Sequence, residues 1–319
     1  MMSDEKYVLV IGSSNIDLNI YSRRFPKPGE TVTGGTFKQF FGGKGANQAV
    51  ASARSGSKTA FIGKLGQDTF GDQMLSNLAK EGIDTSVVIR DPDNASGVAI
   101  ILIDSTGQNM ISVAPGTNEK LLPGDIKNAA DMIQNASSLV VQMEIPVEVI
   151  KEIFSIVSKN NTVKILNPAP FKPVPLDILK QVDIITPNEN ELLKLHSSLG
   201  LKTKVKKGTE NMIQVMKDIH RHGVRKIVTT LGDRGCLVHN GKNEEVLHIP
   251  AFKVNAIDTV GAGDCFNGVL ASRMCKGDDL VTAARYANAA ASIAVTMRGA
   301  QTSMPFEKQI EERYRKMHG

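Results

Sequence analysis

Short apolar runs recur along this chain, each ended by glycine or a polar cluster, and most are followed by a stretch of helical period. The first, Tyr7-Val-Leu-Val-Ile-Gly12, is apolar at every position, which predicts a strand buried on both faces. Runs of the same kind follow at 58–63, 138–143, 163–166, 182–185 and 226–230. Between them lie helical patterns. Asp68 is a natural N-cap for a helix carrying Phe70, Met74, Leu75 and Leu78 and stopped by Gly82. Similar patterns occur at Ile126-Ala130-Ile133, Val149-Ile153-Ile156, Glu191–Leu195, Met212–Arg221 and Phe266-Val269-Leu270-Met274. Alternating strands and helices predict a three-layer α/β/α fold around a mainly parallel, doubly wound sheet.

Two stretches break this rhythm. Residues 18–41 carry short apolar segments interrupted by Pro26, Pro28-Gly29 and Gly34-Gly35, and 97–114 reads as a hairpin around Ser105-Thr-Gly107. Together they predict a small antiparallel sheet that covers the main domain as a lid. The expected division is an α/β domain of residues 1–13, 42–95 and 115–319, and a lid of 14–41 and 96–114. An isolated small sheet with apolar positions on its outer face is marginal, so two lids are expected to pack together in a homodimer.

Composition narrows the class. The 319 residues are 41% hydrophobic and 22% charged, as in an ordinary globular chain. The net charge of +5 suits polyphosphate substrates. Aromatic residues make up 5%, too few for a base-stacking surface, so no nucleic-acid partner is expected. No apolar run approaches the ~20 residues of a membrane span. Three cysteines without Cys-x-x-Cys spacing, and no signal-like N-terminus, point to a cytoplasmic protein. Thr203–Lys207 reads as a solvated Lys-rich turn and Glu307–Gly319 as an exposed terminal helix.

Candidate chemistry clusters after the strands. Asp258-Thr-Val-Gly261-Ala262-Gly263-Asp264 precedes a helix, so small residues and free N–H groups form a place for an anion. A carboxylate there is repulsive unless Asp264 takes a proton from a hydroxyl that attacks a phosphoryl group. A plain Asp-capped turn fits the same residues. Asn15 and Asp17 lie two apart on an extended chain and suit sugar hydroxyls, or an Asx-turn. Gly42-Gly43-Lys44-Gly45-Ala46-Asn47 is not a Walker A loop, because Lys44 is followed by glycine. Its turn can still present Lys44 and Asn47 to a small polar ligand. The first strand ends in Gly12-Ser-Ser-Asn15, without the Gly-x-Gly-x-x-Gly that a dinucleotide-binding oxidoreductase needs.

Gly43-Lys44-Gly45-Ala46-Asn47, Thr186-Pro187-Asn188-x-x-Glu191 and Asp258-Thr-x-Gly-Ala-Gly-Asp264, in that order, resemble the ribokinase-type carbohydrate kinase family from about residue 7 to Pro305. The resemblance implies ATP-dependent phosphorylation of D-ribose at O5, with deoxyribose, fructose or a ketodeoxy acid as alternative acceptors. It implies Asp264 as the base and the backbone of Gly261, Ala262 and Gly263 as the anion hole. Asn15, Asp17, Gly43, Lys44, Asn47 and Glu144 match sugar-binding positions. Asn188 and Glu191 match positions associated with Mg²⁺ and the triphosphate, while Thr230, Gly232, Gly235 and Asn288 match positions around the nucleotide. Asp258, Val260, Ala294, Met297, Gly299 and Ser303 match a monovalent-cation loop, usually holding K⁺. Asp264, Asn188 and Glu191 together argue against a non-catalytic sugar-binding protein.

Overall fold

The computed structural model describes residues 6–157, 161–201 and 208–318; the Lys-rich turn of 203–207 lies outside them. In chain order the elements begin with β1 (Val8–Ile11), β2 (Asn15–Tyr21), β3 (Thr36–Gly42), α1 (Lys44–Arg54), β4 (Thr59–Ile62), β5 (Lys64–Gly66) and α2 (Thr69–Lys80). Then come β6 (Ile89–Asp91), β7 (Gly97–Ile103), β8 (Asn109–Ala114), α3 (Pro123–Asn128), α4 (Ala130–Asn135), β9 (Ser138–Gln142), α5 (Val147–Val157) and β10 (Val163–Asn167). The chain continues through α6 (Leu176–Leu179), β11 (Ile184–Ile185), α7 (Glu189–Ser198), α8 (Thr209–Arg221), β12 (Lys226–Thr230), β13 (Cys236–His239) and β14 (Leu247–Ile249). It ends with α9 (Ala262–Lys276), α10 (Leu280–Ala294) and α11 (Glu307–His318).

The main sheet has the order β14-β13-β12-β11-β10-β9-β1-β4. Its strands from β4 to β12 run parallel, and β13 and β14 add antiparallel at one edge. Strand β1 shows why its sequence is apolar throughout. Leu9 and Ile11 enter the core packed under α3, α4, α5, α7 and α8, while Val8 and Val10 enter the core under α1, α9 and α10. Two apolar faces need two helical layers, so the expected three layers form.

The small sheet has the order β3-β2-β7-β8. Its outer pairings are antiparallel, as the hairpin pattern predicts, and its central β2–β7 pairing is parallel. The two strands come from separate excursions that leave the main domain in the same direction. Tail helix α11 differs from its expected exposure. Ile310 is buried, and the Tyr314 ring stacks on Tyr286 at 3.9 Å between centroids. Among the described residues no helix is long and apolar enough to cross a membrane.

The chain visits β1 and β4, then crosses to β9 and proceeds the other way through β10, β11 and β12. β1 and β9 therefore flank a topological switch point, and a crevice opens outside their carboxyl ends. Ser13, Asn15 and Glu144 follow these two strands directly.

Candidate active site

Glycine sets the spacing of the site. Gly43 caps α1 with φ 85°, and a Cβ there would come within 2.6 Å of Ser14 Cα. Only glycine adopts that backbone without strain and lets α1 start against the end of β1. At Gly268 a Cβ would lie 2.3 Å from the Gln48 carbonyl, so α9 packs directly on α1.

That packing delivers the amides of α1 to the carboxylate of α9. Asp264 stands in the first turn of α9, buried, with Asn47 Nδ2 donating to its Oδ2 at 2.9 Å and Gln48 Nε2 donating to its Oδ1 at 3.0 Å. Burial pushes the Asp264 carboxyl above its usual range, and Lys44, Asn47 and Gln48 oppose the rise. An acid held between these influences is poised to take a proton. Gln48 is itself held: its Oε1 accepts from Gln142 Nε2 at 2.6 Å, and its Nε2 also reaches Asn167 Oδ1 at 3.2 Å. Asn167 donates to the Thr186 carbonyl, Thr186 donates to Asn267 Oδ1, and Asn267 donates to the Gly263 carbonyl. The ring of side chains closes on the loop that carries Asp264.

A cleft of about 800 Å³ lies beyond Asp264, lined by Lys44, Asn188, Glu191, Thr230, Gly232, Gly261 and Gly263. The Ala262 N–H donates to the Thr259 carbonyl at 3.2 Å, so the turn engages one of the three expected anion-hole donors. Gly261 and Gly263 face the cleft. Asn188 and Glu191 form a reciprocal capping box at the start of α7, each side chain accepting the other's N–H at 2.9 Å. Two of the expected nucleotide positions do not line the cleft. Gly235 has φ 92°, and a Cβ there would meet the Ile249 carbonyl at 2.0 Å; Asn288 donates its amide to the Pro250 carbonyl at 2.8 Å.

A second cavity, of about 270 Å³, is lined by Ser13, Asn15, Asn118, Glu144, Pro170 and Lys172. Glu144 accepts from Ser13 Oγ and from the Lys44 N–H, the latter at 3.0 Å, which joins the walls of the two cavities. Asp17 shares the carboxylate field of this site. Burial first, then Glu144 and Asp264, push its carboxyl up to about 7. Gly42 leaves it room, since a Cβ there would come within 2.4 Å of Asp17 Oδ2. The carboxylates of Asp264 and Glu144 and that of Glu191 raise the Lys44 ammonium against its burial, with Asp264 the largest influence.

Asp258 ties two loops behind the cleft. Its Oδ1 accepts the Val260 N–H at 3.0 Å and its Oδ2 the Gly299 N–H at 2.9 Å. The Ala294 carbonyl accepts the Met297 N–H, and Ser303 Oγ donates to the Ala300 carbonyl. Cys265, adjacent to the candidate base, is buried and its thiol is held protonated by that burial, which excludes it as a nucleophile.

The sequence reading passed over Gln48, Gln142, Asn118, Asn167, Thr186 and Asn267 as site residues. Asn167, which ends β10, and Thr186, which follows β11, carried a usable signal, because they stand at strand ends as the identified residues do. The others depend on partners distant in the chain.

The chain matches the description pfkB family carbohydrate kinase over residues 5–307, and it belongs to that family. It is 38% identical over 307 residues to the ribokinase of Staphylococcus aureus (strain COL), covering 96% of this chain and 98% of that protein. It is 35% identical over 306 residues to the deoxyribokinase of Salmonella typhi, covering 96% and 97%. Its fold is similar to that of the Arabidopsis thaliana ribokinase complexed with ribose and ATP, with a TM-score of 0.87, 29% identity, and 97% and 98% of the two chains covered.

Proposed function

We propose that this chain transfers the γ-phosphoryl group of ATP to O5 of D-ribose, giving ribose 5-phosphate and ADP. The observation that carries the reading is Asp264, buried under two amide donors at a nucleotide-sized cleft, whose Lys44 meets Glu144 of a sugar-sized cavity. The ribose and ATP of the Arabidopsis complex supply the substrate pair. Asn15, Asp17, Gly43, Lys44, Asn47 and Glu144 hold the sugar hydroxyls. Asp264 accepts the proton of the 5-hydroxyl, the freed oxygen attacks the γ-phosphorus, and the bond to the ADP oxygen breaks. The amides of Gly261 and Gly263, with Ala262 shaping the turn, and the Lys44 ammonium stabilise the charge on the transferring group. Thr230 and Gly232 border the nucleotide, and Gly235 and Asn288 support that border from behind.

Glu191 suits Mg²⁺: it is a hard oxygen donor facing the cleft, and its Oε1 accepts no hydrogen bond among the described residues. With Asn188 beside it, such an ion would be held partly through water and would neutralise phosphate charge. No cluster of three or more His, Cys, Asp or Glu among the described residues suits a metal, which accords with a cation held mainly by substrate phosphates. The oxygen-rich junction of Asp258 with the loops of Val260, Ala294, Met297, Gly299 and Ser303 suits K⁺, which would fix the loop that aims Gly261 and Gly263.

Residues 14–41 and 96–114 serve as a lid that excludes water during transfer. Their sheet exposes Phe37, Ile100, Met110, Ile111 and Val113, and we assign this surface to a homodimer contact. Three free, buried thiols accord with a cytoplasmic location.

The test is coupled ADP release with ribose, 2-deoxyribose and fructose on wild type and Asp264→Asn. Ribose-dependent turnover that drops by about 10²–10⁴-fold or more in the variant, with ribose binding kept, is expected. Preference for another sugar would reassign the acceptor. No sugar-dependent ADP from a folded, ribose-binding protein would refute the kinase reading.

A further inference from the structure

We propose that Asn118 fixes the hydrogen-bond polarity of the sugar site by setting which way the Asn15 amide faces. Backbone groups admit no choice of donor or acceptor role. The Ser14 N–H can only donate, and it donates to Asn118 Oδ1 at 3.0 Å. The carbonyls of Pro115 and Ser14 can only accept, and they lie 2.9 and 3.2 Å from Asn118 Nδ2. The backbone thus places the Asn118 nitrogen on the side facing Asn15. That nitrogen donates to Asn15 Oδ1 at 2.8 Å, so the Asn15 oxygen is committed and its Nδ2 becomes the free end. No described residue accepts from Asn15 Nδ2, and both asparagines line the 270 Å³ cavity.

Gly97 makes the pair possible. It stands opposite Asn15 in the β2–β7 register, and a Cβ there would lie 2.2 Å from Asn15 Oδ1 and 2.4 Å from Asn118 Nδ2. Asp17 lies two residues along β2 from Asn15 and offers only acceptor oxygens when ionised. A fixed donor from Asn15 beside an acceptor from Asp17 selects a substrate hydroxyl that accepts from one and donates to the other. Asn118, which need not touch the sugar, is then a positioning residue for that discrimination. Residues 115–118 also carry the chain from β8 back to the main domain, so the setting is made at the base of the small sheet.

This inference rests on the reading of the small cavity as the ribose site. The experiment is a double-mutant cycle of Asn118→Leu with Asn15→Ala, reading ribose affinity by calorimetry and kcat and KM by coupled ADP release. Asn118→Leu should weaken ribose binding about 10-fold, as one hydrogen bond of about 1.4 kcal/mol requires. It should raise KM for ribose with kcat and KM for ATP nearly kept. In the Asn15→Ala background the same change should weaken ribose binding less than about 2-fold, because no amide remains to orient. Equal penalties in both backgrounds, or no penalty in the first, would overturn the role of Asn118. If Asn118→Leu does not fold, Asn118→Ser is read in the same cycle, since a small hydroxyl leaves room for a water on the Ser14 N–H. Failure of wild type to bind ribose would instead overturn the site reading itself.

Discussion

Asp17 is the residue where stability and function should be most visibly opposed. Its carboxyl is buried near Glu144 and Asp264 and titrates at about 7 instead of its ordinary 3.8. The folded protein therefore holds this proton more tightly than the unfolded chain does. Between pH 3.8 and 7 the folded state binds more protons, so stability from this residue falls as pH rises through that window and is fully lost above it. The difference of about 3 pK units, at 1.36 kcal/mol each, comes to at most about 4 kcal/mol. Asp17→Asn keeps the shape and removes the charge. Without sugar, its urea midpoint should exceed wild type at pH 8.5, and the gain should shrink steadily toward pH 4. At the same time kcat/KM for ribose should fall about 100-fold, since a carboxylate acceptor for a sugar hydroxyl is lost. A gain that does not change with pH, or a variant less stable than wild type at pH 8.5, would refute the electrostatic argument.

Three further outcomes follow from the geometry. Gln48→Leu removes a donor to Asp264 Oδ1, so the acid limb of the kcat/KM–pH profile should move to higher pH and activity at pH 7 should drop about 10-fold. An unchanged profile with lower activity would make Gln48 a packing residue only. Exchanging K⁺ for a large inert cation should lower kcat in wild type and leave Asp258→Ala, already slow, unaffected; equal wild-type rates in both salts would remove the cation assignment. Ile111→Asp, on the exposed apolar surface of the small sheet, should turn a dimer into a monomer in sedimentation at micromolar concentration, and a monomeric wild type would remove the dimer assignment.

Much of this was legible because burial on two faces writes itself into sequence as unbroken apolar runs, as in Val8–Ile11 and Leu139–Val141. The small sheet was legible from its turns, but the β2–β7 direction was not, since a strand's pattern of period two does not say which way its neighbour runs. The edge strands Cys236–His239 and Leu247–Ile249 were missed altogether, because runs of four and three residues are too short to show a period. The motif residues Asn15, Lys44, Asn47, Glu144 and Asp264 do gather. What the sequence hid is their amide support. Gln48 follows Asn47 and on a helix should point about 100° away from it. Both reach Asp264 because α9 lies close enough, at Gly268, for its first turn to sit between them. No local pattern announces such a contact across 216 residues.

The placement of the unmet hydrogen bonds carries the last step. Around Asp264 the amides of Gln48, Gln142, Asn167 and Asn267 form a largely satisfied network, yet Asn47 Oδ1 and Gln142 Oε1 are buried without a donor among the described residues. An unpaired buried acceptor costs roughly 1–3 kcal/mol, so most are eliminated from folded proteins. Asn47 Oδ1 belongs to the very amide whose nitrogen holds the candidate base, but it is buried and Asn47 lines neither cavity. Asp17, whose carboxyl burial, Glu144 and Asp264 push upward, is eased by a hydroxyl donor. Asn15 Nδ2 has no acceptor among the described residues and Asn15 lines the small cavity, so on the proposed function one sugar would meet both. Specificity for a polyhydroxy substrate thus arises where the fold leaves polar groups fixed but incomplete, because a ligand lacking the matching hydroxyl would leave them so.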